Sequence, residues 1–173
     1  GIEESKIEAR SVAINADLIK NYQPKINLHV KYSHYEKIFL SIGRLERVKN
    51  IDFLFSVFAQ VIKEKSKLLL LIVGDGAEKI KLQNQVKILG LGNNIKFENW
   101  TSDPISYIKT ADCVLFPSLS EGYGLVPMEA FVGETPVIMS DVGVANFELK
   151  PSEKVKILSV NDKNAWVQAI LQI

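Results

Sequence analysis

The stretch Leu68-Leu69-Leu70-Leu71-Ile72-Val73 decides the fold class of this chain of 173 residues. Its six apolar residues are consecutive and do not alternate with polar ones, so a strand with this sequence must be covered on both faces. A parallel sheet with helices on either side provides that cover. The stretch therefore predicts a fully buried strand of a parallel sheet.

Apolar runs on both sides of this strand alternate with longer segments of helical periodicity. Short links between them imply right-handed crossovers, so the predicted fold class is α/β, a Rossmann-like doubly wound parallel sheet. Residues 37–173 form the predicted domain, and residues 1–36 are a lead-in segment that packs on it, with a strand-like run at 11–15. Strands are predicted at 38–42, 68–73, 95–97, 113–116, 137–139 and 155–158, and helices at 51–63, 77–89, 104–110, 125–132 and from 163 onward.

The composition excludes several classes of protein. With 47% hydrophobic residues, 24% charged residues and a formal net charge of +1, the chain is neither disordered nor a basic nucleic-acid binder. No apolar run approaches the roughly 18 residues of a membrane span, and Cys113 cannot form an internal disulfide. We expect a cytoplasmic domain without a signal peptide, a membrane span or a nucleic-acid partner.

Charge is distributed unevenly along the chain. Residues 97–148 contain eight acidic residues and one basic residue, whereas residues 31–49 contain five basic residues and two acidic ones. Ligands of parallel sheets bind at the carboxyl ends of the strands. A pocket there could offer cations from one side and carboxylates from the other, although two ordinary solvated surfaces would give the same pattern.

A first motif, Gly43-Arg44-Leu45, follows the first regular strand, and Lys49 lies just before the next helix. Gly43 permits a tight turn or the close approach of a ligand. Arg44 offers a planar fork for phosphate oxygens and Lys49 a compact charge, while the helix N-terminus adds unpaired amides. These residues suit a diphosphate, and a surface loop with two solvated cations explains them equally well.

A second motif, Val73-Gly74-Asp75-Gly76, also lies between a strand and a helix. It resembles the start of a dinucleotide-binding fingerprint, but Lys79 occupies the place of the third glycine. The departure argues against a dehydrogenase. Gly74 is a candidate ligand contact, and a tight turn that closes the strand is at least as good an explanation.

A third motif, Glu121-Gly122-Tyr123-Gly124-Leu125, carries the most information. Pro127 is tolerated in the first turn of a helix, so a helix is predicted to begin near the end of this motif. The amides there would point at a ligand above the sheet and suit an anion or a sugar diphosphate. Glu121 could accept hydrogen bonds from sugar hydroxyls and Glu129 from a ribose, whereas two solvated acids are the alternative.

These residues resemble the signature of retaining GT-B glycosyltransferases, family 4 in particular. The resemblance includes the spacing from Glu121 to Glu129, and it extends over about residues 15–173. Three further motifs occur in the family's order and spacing: Gly43-Arg44-Leu45 with Lys49-Asn50, Val73-Gly74-Asp75-Gly76, and Gly133-Glu134-Thr135-Pro136-Val137-Ile138. Four motifs in register are far more specific than any one of them.

The resemblance implies a role for each matching position. Glu121, Arg44 and Lys49 are the expected catalytic residues, with the two cations neutralising the diphosphate of a nucleotide-sugar donor. Glu129 would bind the ribose, and Trp100 is a candidate for stacking on the base. The other expected donor-binding residues are Gly43, Gly74, Gly122, Tyr123, Gly124 and Leu125. No Asp-x-Asp sequence occurs in the chain, and we expect neither a metal nor a cofactor.

The resemblance covers only the donor-binding half of a two-domain enzyme. The expected partners are the nucleotide-sugar donor and the chain's own N-terminal acceptor domain, through which the enzyme could touch a membrane. Without that domain we expect little or no activity. One departure concerns Glu148, which lies five residues after Gly143, whereas the family commonly has four. A non-catalytic nucleotide-sugar-binding module and a GT-B epimerase or phosphorylase-like enzyme remain as alternatives.

Overall fold

A computed structural model describes residues 14–173 and contains one parallel sheet of six strands with helices on both faces. The strand order is β3-β2-β1-β4-β5-β6, so the predicted fold class is confirmed. The strands are β1 (Lys37–Ile42), β2 (Leu68–Val73), β3 (Ile95–Glu98), β4 (Cys113–Phe116), β5 (Val137–Met139) and β6 (Val155–Ile157). The helices are α1 (Ala16–Asn21), α2 (Leu28–Lys31), α3 (Ile51–Glu64), α4 (Lys79–Ile88), α5 (Pro104–Thr110), α6 (Leu125–Val132) and α7 (Lys163–Leu171). For every strand and helix predicted within residues 37–173 the bounds agree with these to within two residues.

Strand β2 is buried along its whole length, as its sequence predicts. Leu68, Leu70 and Ile72 belong to the core layer that includes residues of α3, α4 and α7. The alternate residues of the strand belong to the second core layer, with residues of α5 and α6. The absence of apolar–polar alternation in β2 therefore reflects two apolar layers, one on each face of the sheet.

The pairing of β1 with its two neighbours is unequal. With β2 it pairs along its full length, from Lys37 opposite Leu68 to Ile42 opposite Val73. With β4 the register contains only Phe39 opposite Cys113 and Leu40 opposite the next residue. The order of strands along the chain reverses between β1 and β4, so a crevice is expected at the carboxyl ends of these two strands.

The lead-in segment forms helices α1 and α2, which the periodicity did not predict. The Lys109 ammonium group donates hydrogen bonds to the carbonyls of Ile19, Lys20 and Tyr22 at 3.1, 2.8 and 2.9 Å. The Tyr22 hydroxyl donates to Asp103 at 2.8 Å. Such short helices are marginal alone; these contacts with α5 and its N-cap support α1, and the Leu28 amide of α2 donates to the Thr110 hydroxyl of α5 at 3.3 Å.

The predicted strand-like run at 11–15 falls mostly outside the described residues, which begin at 14. Asn15 is not in a strand, and its side chain accepts a hydrogen bond from the Leu18 amide and caps α1. The predicted domain boundary at residue 37 stays a prediction. None of the helices in residues 14–173 combines the length and apolar content that crossing a bilayer requires.

Candidate functional site

The candidate site lies where β1 and β4 end side by side. Gly43, Arg44 and Lys49 line the crevice from the β1 side, and Phe116 and Ser118 line it from the β4 side. This is the position at which open parallel sheets bind ligands. The first motif therefore lines this crevice together with the segment that follows β4.

The centre of the site is an ion pair between two of the predicted catalytic residues. Lys49 Nζ donates to Glu121 Oε1 at 2.6 Å, and the two side chains are only 20% and 13% exposed. Lys49 Nζ also lies 5.4 Å from the centroid of the Phe116 ring. A cation from the basic segment 31–49 thus contacts a carboxylate from the acidic segment 97–148. The contact lies at the carboxyl ends of the strands, where the uneven charge distribution suggested a pocket.

Backbone geometry places Lys49 at this crevice. Residues Arg47–Lys49 form a single 3-10 turn, and Asn50 has a φ of +53° before α3 begins. The Asn50 side chain donates to the Pro117 carbonyl at 3.2 Å. The turn that carries the lysine is therefore tied to the β4 exit as well as to β1.

Arg44 lines the same crevice but makes no contact with Glu121 in this structure. Its Nη1 donates to Glu46 Oε1 at 2.8 Å, and its side chain is 76% exposed. An exposed ion pair of this kind contributes little free energy and is easily exchanged. The guanidinium has further N–H donors and is largely exposed, so it is available to a ligand.

Gly74 lies directly against the Gly43 turn. A Cβ atom on Gly74 would be 1.9 Å from the Gly43 carbonyl oxygen, and the φ of Gly74 is +149°. By contrast, a Cβ on Gly43 would meet open space. Gly74 therefore allows two strand exits to approach each other, while the open side of Gly43 leaves room for a ligand; binding at either residue stays a prediction.

The loop Glu121-Gly122-Tyr123-Gly124 leads into α6, and Gly124 has a φ of +94° at the N-cap. A second loop supports it: the Val144 amide donates to the Tyr123 carbonyl at 2.8 Å, and the Tyr123 hydroxyl donates to Glu148 at 2.7 Å. Leu125 begins α6 as predicted. Glu148, whose spacing from Gly143 differs from that of the family, therefore contacts the loop Glu121-Gly122-Tyr123-Gly124.

Glu129 lies one turn after Leu125 on the same face of α6. Burial raises the pKa of its carboxyl above the ordinary value. Within residues 14–173, no hydrogen bond or ion pair connects it to Lys49 or Glu121. Ionisation of Glu129 therefore costs free energy in the folded protein, and a ligand that donates hydrogen bonds to it would reduce that cost.

Trp100 follows β3 at the same edge of the sheet, and its side chain is largely exposed. The preceding residue, Asn99, accepts a hydrogen bond from Lys79 at 2.9 Å, and Lys79 also pairs with Asp75 at 3.1 Å. Lys79, which takes the place of the missing third glycine, thus connects the exits of β2 and β3. Stacking of Trp100 on a base stays a prediction.

One polar group at the site, the Ser118 hydroxyl, was not among the predicted site residues. The Ser118 hydroxyl and one Glu148 carboxylate oxygen are buried and have no hydrogen-bond partner among residues 14–173. Buried polar groups nearly always have partners, so a ligand or a water molecule is the expected partner of the Ser118 hydroxyl. The only signal in the sequence was the place of Ser118 in the segment between β4 and Glu121.

Within residues 14–173, no group of three or more His, Cys, Asp or Glu side chains could hold a metal ion. The expectation that no metal or cofactor is needed stays a prediction.

Comparison with known proteins gives consistent matches. The family model described as Glycosyl transferases group 1 matches residues 25–173. Alpha-monoglucosyldiacylglycerol synthase of Streptococcus pneumoniae is 33% identical over 143 residues, which cover 77% of this chain and 32% of the synthase. The chain therefore spans about a third of this curated relative.

Two solved structures show the same fold. TarM from S. aureus, in a mutant form crystallised with Fondaparinux, alpha-GlcNAc-glycerol and UDP, gives a TM-score of 0.76 at 25% identity and covers 88% of this chain and 30% of TarM. The C-terminal domain of LpcC, a glycosyl transferase group 1 family protein from Francisella tularensis, gives a TM-score of 0.76 at 18% identity. That match covers 91% of this chain and 86% of the LpcC domain.

Proposed function

The chain belongs to the Glycosyl transferases group 1 family, and on that basis we propose that it is the donor-binding half of a retaining GT-B glycosyltransferase of family 4. The enzyme moves a sugar from a nucleotide-diphosphate-sugar donor to an acceptor such as a growing glycan or a lipid-linked saccharide. The acceptor site belongs to a separate N-terminal domain, so we expect this half to have little or no activity alone. The enzyme is cytoplasmic and touches the inner face of a membrane through the acceptor half.

The Lys49–Glu121 ion pair in the crevice carries this proposal. Departure of the nucleoside diphosphate puts negative charge on the leaving oxygen, and a fixed cation beside it lowers the barrier. Lys49 lies at the switch point of the sheet with its ammonium group already oriented by Glu121. In the donor complex, Lys49 neutralises the diphosphate, and Glu121 accepts hydrogen bonds from the sugar.

We propose the remaining donor contacts from the chemistry of the other candidate residues. The exposed Arg44 exchanges Glu46 for a phosphate, which its planar fork can bind through two hydrogen bonds. The amides after Gly122 and the N-terminus of α6 face the same phosphates. Glu129 binds the ribose, because hydroxyl donors there offset the cost of its ionisation, and Trp100 stacks on the base.

Transfer is favoured over the alternatives. The family model describes glycosyl transferases rather than epimerases or binding modules, and the relative from Streptococcus pneumoniae is named as a synthase. TarM was crystallised with UDP, so we propose a uridine nucleotide as the first donor to test. No finding favours a dehydrogenase.

Calorimetric titration of UDP, GDP and ADP and their sugars into the chain tests donor binding. We expect one nucleotide class to bind and expect Arg44→Ala to weaken it about tenfold or more, as loss of a charge-assisted phosphate contact does. Arg47→Ala is the matched control, because Arg47 is also an exposed arginine but is absent from the crevice lining. Equal nucleotide affinities for the parent chain, Arg44→Ala and Arg47→Ala would contradict the proposal that Arg44 binds a phosphate of the donor.

Turnover requires the acceptor half, so the test of catalysis uses the full-length protein. We expect Glu121→Gln to abolish most sugar transfer while nucleotide binding persists. Retention or inversion follows from the anomeric configuration of the product measured by NMR. Free epimer instead of transferred sugar would favour the epimerase alternative, and unchanged turnover in Glu121→Gln would contradict the role of Glu121.

A further inference from the structure

Helix α4 has apolar residues on two opposite faces. Leu82 and Val86 are buried against the core, as expected for a helix that covers a sheet. On the outward face, Ile80 and Ile88 lie two turns apart and are 73% and 85% exposed. Asn84 is the residue between them on this stripe. Two isoleucines on one stripe of solvent-facing helix are not explained by the core.

Lysines flank this apolar stripe. At 3.6 residues per turn, Lys87 falls on one side of the Ile80–Ile88 line and Lys81 on the other. Lys81 is paired with Glu78 at 2.6 Å, at the start of the helix. From residue 79 to residue 97 the chain has four lysines and no acidic residue. The outward face of α4 is therefore both apolar and cationic.

A second basic area lies past the end of α4. Lys67 and Lys96 line one shallow hollow at the amino edge of the sheet. The Asn94 side chain donates to the Ser66 carbonyl at 2.6 Å and holds the loop after α4 against the loop before β2. Lys67 has one acidic neighbour, Glu36 at 3.4 Å, and both side chains are mostly exposed. This basic area is separate from the outward face of α4, because Lys96 pairs with Leu71 and Leu71 belongs to the core layer opposite the one that contains Leu82 and Val86 of α4.

We propose that the outward face of α4 (Ile80, Lys81, Asn84, Lys87 and Ile88) binds the surface of a bilayer that contains anionic lipids. The isoleucines insert among the headgroups, and the lysines bind lipid phosphates. This surface is distinct from the crevice and belongs to the donor-binding half itself, so the inference goes beyond the proposed function and does not depend on it.

Other occupants fit this face less well. A second copy of the chain would bring the same lysines together, and like charges repel. The stripe is only about 12 Å long, from the helical rise over eight residues, whereas a stable protein interface buries about 800 Å² on each partner. A bilayer needs no matching contour and can accept two isolated apolar side chains with cations beside them.

Vesicle flotation of the full 173-residue chain tests the proposal. We expect binding to vesicles of three parts phosphatidylcholine and one part phosphatidylglycerol, weak binding to phosphatidylcholine alone, and release at high salt. The double variant Ile80→Ser/Ile88→Ser should bind at least about tenfold more weakly. Lys87→Gln should bind about fivefold more weakly, since one lysine near the surface is lost.

Matched controls separate this surface from general effects. Val30→Ser removes a similarly exposed apolar side chain on α2, and Lys150→Gln removes an exposed lysine elsewhere. Both should bind vesicles as the parent chain does. All variants should keep the parent melting temperature and nucleotide affinity, because the positions are exposed and lie outside the crevice. A failure of nucleotide binding would therefore leave this test intact.

Three results would overturn the proposal. The first is no flotation with anionic vesicles, and the second is equal flotation of the parent and the double isoleucine variant. The third is tighter binding of the parent chain to soluble polyglutamate than to anionic vesicles at equal total charge, which would assign the surface to an acidic protein instead.

Discussion

Replacing Lys49 with methionine should destabilise the fold by leaving Glu121 without its cation. Methionine keeps most of the apolar stem that lies beside Phe116, so the change removes mainly the charge. Loss of one partner of a buried pair costs about 3–5 kcal/mol, and an exposed pair contributes about 0–1 kcal/mol. With side chains 20% and 13% exposed, the Lys49–Glu121 pair lies between these limits, and we expect a loss of about 2 kcal/mol.

The loss should be visible in thermal unfolding. For a domain of this length, about 2 kcal/mol corresponds to a fall in melting temperature of about 4–8 °C. The variants Lys49→Met, Glu121→Gln and the double variant complete a double-mutant cycle at pH 7. Because the double variant leaves no buried charge unpaired, it should be more stable than Lys49→Met alone.

The Arg44–Glu46 pair provides the control cycle, since it is a similar contact of 2.8 Å with an arginine that is 76% exposed. Its coupling energy should be below about 0.5 kcal/mol. If the two single losses at Lys49 and Glu121 add to the double loss within about 0.5 kcal/mol, the pair is not coupled. That result would refute the inference that Glu121 orients Lys49.

Three further predictions concern other parts of the site. Gly74→Ala should lower the melting temperature by several degrees, because the new Cβ would collide with the Gly43 carbonyl. Gly92→Ala should leave it nearly unchanged, because a Cβ there meets nothing within 4 Å. Similar melting temperatures for both variants would contradict the close approach of Gly74 to Gly43. Burial raises the pKa of Glu129, so the folded state holds its proton more tightly than the unfolded chain. Stability should therefore fall as pH rises from the unfolded value of about 4.3 through the folded pKa, and Glu129→Gln should remove that fall in urea titrations at several pH values. Nucleotide binding should quench the fluorescence of the exposed Trp100 but not of the buried Trp166, so Trp100→Phe should abolish the quenching; quenching that survives the substitution would place the base elsewhere.

The sheet could be predicted from the sequence because its determinants are local. The apolar run at Leu68–Val73 requires cover on both faces wherever it lies. Gly122, Gly124 and Pro127 mark the end of the loop after β4 and the start of helix α6 without reference to any distant residue. Such signals do not depend on which distant segments become neighbours in the folded chain.

Features that depend on distant neighbours could not be predicted. Lys49 and Glu121 were expected to face a ligand, but nothing in the sequence shows that they pair with each other across 72 residues. The hydrogen bond from the Tyr123 hydroxyl to Glu148 could not be predicted either, because it joins residues that are 25 positions apart. Lys109 donates hydrogen bonds to carbonyls in the last turn of helix α1, a contact that no periodicity within α1 could reveal.

The short register between β1 and β4 has a consequence for how the two parts of the sheet stay together. Only two residue pairs join Lys37–Ile42 to Cys113–Phe116, whereas six join it to β2. The pairing of β1 with β4 is therefore the shorter of the two, and the carboxyl ends of these two strands form the crevice. A ligand that contacts the ends of both strands would hold them together. The amide protons of β1 and of β4 should then both exchange with deuterium more slowly.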